Sequence, residues 1–274
     1  MKLALSGRIA EAAHVKEAAV DFAELARLAA QIGYDALCLR PAQAAIGTPD
    51  ARLQAMREIL DHYGLAASMI TPDARIARQG TAPDANATLR AIGPALHIAR
   101  LLRAGLVRVA IKGEDDLPWA QHAADEAREH GIRLVHQTHT ATPFETIDNC
   151  RLLLARINRP NFGLTVEPSN LALCGQEYGV DALRPLAPYI FNVYVQNVRV
   201  ASDGRESIST NGGTVRYDRL VVGDPGGVDL PRFCGALHEL GYDGYVTSHQ
   251  PAIGGIATEA LARRVYEALV PLTQ

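Results

Sequence analysis

The 274-residue chain is short of cysteine, of net charge and of long apolar runs, and each shortage closes a class of answers. Its four cysteines, Cys38, Cys150, Cys174 and Cys234, lie far apart with no CxxC pair, which argues for reduced core thiols over a disulfide framework or a zinc cluster. A formal charge of -3 provides no basic patch for a nucleic-acid backbone. No stretch approaches the length of a membrane span, and the opening MKLALSGRIAEA has an apolar segment too short for a secretory signal. Cytoplasmic residence is therefore expected, with neither a membrane nor a nucleic acid as partner. Low-complexity tracts are missing too, and with 48% apolar residues the chain can bury one large core without staples.

What is present is a repeated unit: a helix end, a glycine, then a short apolar strand that finishes in polar residues. It appears as LAAQIGYDALCLR (28–40), LDHYGLAASMIT (60–71), LLRAGLVRVAIKG (101–113), AREHGIRLVHQTHT (127–140) and ALHELGYDGYVTSHQ (236–250). Glycine takes the left-handed conformation just past a helix end without steric cost, so Gly33, Gly64, Gly105, Gly131 and Gly241 are expected as helix caps. LALSG (3–7), FGLTVEPSN (162–170) and IFNVYVQN (190–197) raise the strand count to eight. Eight strands with intervening helices in a chain of this length predict an α/β fold, a single (β/α)8 TIM barrel over residues 1–274. The runs DFAELARLAAQI (21–32) and AIGPALHIARLL (91–102) carry apolar residues at helical spacing, as an outer ring of helices requires.

In such barrels chemistry gathers where strands end, and side-chain alternation decides which of the polar endings face one another. Gln137 and His139 share one side of their strand. Glu167 opposes Val166 and Pro168, and a carboxylate inside a strand is costly to bury unless it is paired or metal-bound. Asn192, Tyr194 and Gln196 form one polar face, and His249 ends the last strand. Convergence of Gln137, His139, Glu167, Gln196 and His249 on one rim offers nitrogen and oxygen donors to a divalent cation; an ordinary hydrogen-bond network is the competing reading. Arg40 suits the anchoring of a substrate oxyanion, Lys112 the neutralising of an enolate, and Asp73 the orienting of acid–base groups. The polar stretch 200–227 after the seventh strand is expected as a lid or insertion, and 71–87 after the third could help it fence a pocket.

The order of these strand-end motifs resembles the xylose-isomerase-like barrels, a family of sugar isomerases, epimerases and dehydratases. CLR (38–40) stands where the family often shows an ELR-like second strand, QTH (137–139) for ExH, EPSN (167–170) for DPGN and NVYVQN (192–197) for HVHLKD. GYDG (241–244) leads to His249 where the family ends in Glu. The resemblance implies a metal-assisted isomerase or epimerase acting on a small sugar, keto sugar or sugar derivative by proton abstraction next to a carbonyl. It assigns a divalent metal (Mn, Mg, Co or Zn) to Gln137, Glu167, Gln196 and His249. Acid–base work falls to Glu167, His249 and His139 with Lys112, and substrate contacts to Arg40, Asp73, Asn170 and Tyr194. Three of the family's usual four ligands, Glu, Asp, His and Glu, are replaced, which lowers affinity for a hard dication.

The same first step also opens to a lyase that eliminates water or an aglycone, and the lost carboxylates leave a non-catalytic sugar-binding barrel as a third reading. Apurinic endonucleases share the fold, but they need a dense set of metal ligands and a basic face that this sequence does not offer. Barrels of this family commonly pair, so a homodimer or tetramer is the expected assembly.

Overall fold

A computed structural model describes residues 1–11, 17–72 and 87–274. Eight parallel strands close a barrel: β1 (Lys2–Ser6), β2 (Ala36–Leu39), β3 (Ala66–Ile70), β4 (Leu106–Arg108), β5 (Arg133–Gln137), β6 (Phe162–Val166), β7 (Ile190–Val195) and β11 (Tyr245–Ser248). They follow one another in chain order around the wall, and β11 pairs back onto β1 with Leu3 opposite Val246. These strands are nearly continuous apolar runs because both of their faces are covered, one by the lumen and one by helices.

The helices among the described residues are α1 (Phe22–Ile32), α2 (Asp50–His62), α3 (Ala87–Arg90), α4 (Gly93–Leu102), α5 (Leu117–Glu129), α6 (Ile147–Ile157), α7 (Pro168–Leu173), α8 (Val180–Leu183), α9 (Leu230–Glu239) and α10 (Thr258–Thr273). Their starts are marked chemically. Asp21, Thr146 and Asp229 each accept a backbone N–H of the first turn of α1, α6 and α9, at 2.9, 3.2 and 3.0 Å. Gly33, Gly64, Gly131 and Gly241 have positive φ, as expected of residues past a helix end. Gly105 does not: α4 ends at Leu102, and the left-handed residue is Arg103, with φ 54°, two positions before the glycine.

Two apolar bodies result. The larger fills the space between barrel and helices and includes Val193 and Val195. The smaller plugs the lumen with Cys38, Met69, Leu106, Val135 and Tyr194. Tyr194 thus faces inward while its neighbours face outward, the alternation predicted for β7. All four cysteines are free thiols. Among the described residues no helix is long and apolar enough to cross a membrane.

The stretch after β7 is an insertion with a fold of its own. β8 (Asn197–Val200), β9 (Glu206–Thr210) and β10 (Gly213–Leu220) form an antiparallel sheet in the order β8-β10-β9. Asp218 ties it together by accepting from Arg199 Nε at 3.0 Å and from Arg205 Nε at 3.1 Å. At the hairpin tip, Asn211 donates its backbone N–H to the Glu145 carboxylate and its side-chain amide to the Thr142 carbonyl, each at 2.9 Å. The sheet therefore leaves the wall at β7 and is tied down on the connection that follows β5, straddling the end of β6. Most of the second excursion, including Asp73, lies outside the described residues.

Candidate active site

Glu167 follows β6 directly and is fully buried. The two strands beside β6 each end in a glutamine, and both turn toward it: Gln137 Nε2 donates to Oε2 and Gln196 Nε2 to Oε1. Asn170, one turn further along α7, adds a bond to Oε2 at 2.9 Å and another to the Thr138 carbonyl at 2.9 Å. The Glu167 backbone N–H donates to Thr138 Oγ1 at 3.0 Å. A carboxylate offers about four acceptor positions, so three are taken and one remains on Oε1. Burial pushes the Glu167 carboxyl above its ordinary range, against the pull of Arg8 and the two glutamine amides.

Each glutamine oxygen meets a cation. Arg108, at the end of β4, donates to Gln137 Oε1 at 2.7 Å. Arg8, in the turn after β1, and Arg219, from β10, both donate to Gln196 Oε1, at 2.9 and 3.2 Å. The amide orientations are therefore fixed: flipping either glutamine would set NH2 against guanidinium and carbonyl against carboxylate.

His249 follows β11 and lies flat on the Tyr194 ring, centroids 3.9 Å apart and planes within 5°. The Tyr194 hydroxyl in turn sits 3.3 Å from Cys38 Sγ, which pins the stack to the lumen plug. Ser6 Oγ accepts from the Arg8 backbone N–H at 3.3 Å and lies 3.1 Å from His249 Nδ1. When the Ser6 hydroxyl donates its proton to Nδ1, the ring proton of neutral His249 stands on Nε2. Burial first, then the charges of Arg8, Arg40 and Arg108, hold this histidine well below its usual pKa, so it is neutral near pH 7.

The remaining expected residues are spread around this centre. His139 lies half-buried on the rim, its Nδ1 donating to the Thr140 carbonyl at 2.8 Å, which makes Nε2 the basic nitrogen of the neutral ring. Arg40 pairs with Glu11 through Nε at 2.7 Å. Lys112 is half-buried on the loop after β4, its backbone N–H donating to Asp116 at 2.8 Å. Tyr194, expected as a substrate contact, is fully buried with its ring stacked on His249. Arg8, Arg108, Arg219 and Ser6 were not foreseen. For Arg108 the signal was a charge within the apolar strand LVR, the same argument that singled out Glu167. A groove of about 710 Å3 between α8 and α9, lined by Glu177, Asp181 and Arg232, lies on the outer layer and shares no residue with this centre.

These residues do not fit a divalent cation. Both amide oxygens that would ligate it accept from guanidiniums, and Glu167, the one carboxylate in the set, already receives three N–H donors. Among the described residues no three His, Cys, Asp or Glu side chains gather so as to hold a metal. Gln137, Gln196 and His249, expected as ligands beside Glu167, serve instead as a clasp for the carboxylate and a ring stacked next to it.

The family model described as "Xylose isomerase-like TIM barrel" matches residues 26–269. No curated protein matches the chain. Solved structures with the same fold include the probable 3-DHS dehydratase AsbF from Bacillus anthracis, with TM-score 0.71 and 15% identity over 98% of each chain. A D-psicose 3-epimerase from Clostridium cellulolyticum, solved with D-tagatose, has TM-score 0.69 and 14% identity over 100% of this chain and 98% of its own. A xylose isomerase-like TIM barrel protein from Mycobacterium smegmatis, in complex with magnesium, has TM-score 0.70 and 18% identity over 99% of this chain and 96% of its own.

Proposed function

The chain belongs to the xylose isomerase-like TIM barrel family, and from that premise we propose that it is an isomerase or epimerase of a small sugar, keto sugar or sugar derivative. The observation that supports this reading is one buried carboxylate, Glu167, clasped at the barrel mouth with an acceptor position left on Oε1. In this reading Glu167 takes a proton from a carbon next to a carbonyl. Burial favours its protonated form, which suits a base that must hold the proton it receives. His249, neutral and held flat, donates from Nε2 to the carbonyl oxygen as negative charge builds there. The guanidinium of Arg8, near both groups, stabilises the resulting enolate electrostatically. Return of the proton from Glu167 to the neighbouring carbon, with the hydroxyl proton passing to the former carbonyl oxygen, completes isomerisation; a proton delivered from solvent to the opposite face of the same carbon completes epimerisation.

The test is solvent exchange. The purified protein is incubated in deuterated water with a panel of ketohexoses and keto sugar acids, and deuterium at the carbon next to the carbonyl is followed by NMR. Incorporation that disappears in Glu167→Gln is the expected result. Loss of water or of an aglycone during exchange would reassign the chain as a lyase, and no exchange with any member would leave a binding barrel.

A further inference from the structure

We infer that this site selects small molecules carrying an oxyanion, a carboxylate or a phosphate group, and seats that group between the guanidiniums of Arg8 and Arg219. The inference deepens the proton-transfer reading and rests on it only for the chemistry that a bound molecule undergoes. Its starting point is two cations on one neutral oxygen. Arg8 and Arg219 both donate to Gln196 Oε1, at 2.9 and 3.2 Å, which uses both lone pairs of that carbonyl. Such an arrangement sets like charges beside each other in a partly buried place, at an electrostatic cost that an anion between them would remove.

Arg219 has some compensation, since its other arm reaches Glu206 at 3.1 Å. Arg40 has Glu11. Arg8 differs: among the described residues its side chain makes the single bond to Gln196 and no ion pair, although a guanidinium carries five N–H donors. Burial and the charge of Arg40 press it down to about 10, with Glu167 as the main opposing influence. A planar oxyanion matches the unused fork of Arg8 in geometry as well as in sign. An uncharged sugar would leave this charge unanswered, and a dication would add to it. Because Arg219 comes from the inserted sheet, an oxyanion bound here also ties that sheet to the barrel mouth.

The experiment is calorimetric titration of the full chain with D-gluconate, inorganic phosphate and the uncharged D-glucitol, for the wild type and for Arg8→Gln, Arg219→Gln and Arg8→Lys. The expected result is that one or both anions bind and glucitol does not. Each glutamine variant should weaken the anion about 10- to 100-fold, and Arg8→Lys should recover part of the loss. Arg219 is partly exposed, so its variant stays folded if Arg8→Gln does not. Failure of both anions to bind, glucitol binding as tightly as gluconate, or anion affinity unchanged in both glutamine variants would each overturn the inference. So would stoichiometric binding of manganese that Gln137→Ala abolishes. Solvent exchange keeps the two readings apart: anion binding without exchange on any substrate sinks the proposed reaction alone, and exchange confined to neutral keto sugars sinks the oxyanion site alone.

Discussion

On the outer layer Arg159 meets Asp125, Arg156 meets Glu114 and Arg57 meets Asp61, each at 2.8 Å, whereas at the mouth Arg8 reaches 2.9 Å to an uncharged amide oxygen. The residue type is the same, and the difference lies in what answers its charge. Outside, each guanidinium faces a carboxylate, and where the pair stands in solvent, as in Arg156–Glu114, it contributes little. At the mouth the positive charge is withdrawn from water and not answered by the nearest side chain. The outer pairs serve the surface of the fold, while the inner arrangement places a buried cation where the proposed oxyanion would complement it.

The largest effect expected from disturbing this contrast is on chemistry. His249→Phe keeps a flat ring on Tyr194 but deletes the donor nitrogen, so solvent exchange should fall about 100-fold or more with the fold intact. Exchange at the wild-type rate in this variant would remove His249 from the mechanism.

Next comes acid stability. Burial pushes His136 down to about 3 and holds His249 well below its ordinary value. Unfolded, both histidines take up protons near pH 6.5, so the unfolded state binds more protons below that point and stability falls with pH. The contribution is complete above about 6.5 and is lost on the way down to about 3, at roughly 1.4 kcal/mol per pKa unit. The raised carboxyl of Glu167 acts with the opposite sign and softens the fall. Chemical denaturation at several pH values should show this limb, flattened in His136→Gln; an unchanged slope in that variant would count against the assignment.

Smaller effects separate the two arginine populations directly. Arg8→Met should change the unfolding free energy by no more than about 1 kcal/mol, because it removes a buried cation together with the attraction that this cation exerts on Glu167. Arg159→Met should lower it only slightly, with most of the loss erased at high salt. If Arg8→Met proved strongly destabilising, the contrast between mouth and surface would collapse.

The barrel was legible because its signals are local: Gly33, Gly64, Gly131 and Gly241 punctuate helix-to-strand joints, and one buried carboxylate in an apolar strand draws attention to itself. Glu167 was found in that way, and the alternation that turned Tyr194 inward held. The amides misled. Their position on the rim followed from parity, but whether a glutamine turns its oxygen or its NH2 toward the centre depends on neighbours supplied by other strands. Arg108 and Arg8 settle that choice, and they reach Gln137 and Gln196 from 29 and 188 residues away in sequence. Arg219 was beyond local reading, since it arrives on an inserted sheet whose pairing nothing in 200–227 announces.

The bond between Ser6 and His249 spans 243 residues and crosses the seam where the first strand meets the last. A chain synthesised from its N-terminus has the clasp around Glu167 in hand long before residue 249 emerges, but it has no oriented imidazole until β11 docks beside β1. Assembly of the Glu167–His249 pair therefore waits on one of the most distant contacts in the chain. Nascent or C-terminally clipped copies carry Glu167 without His249, so under the proposed reaction solvent exchange would report that the ring of strands has shut.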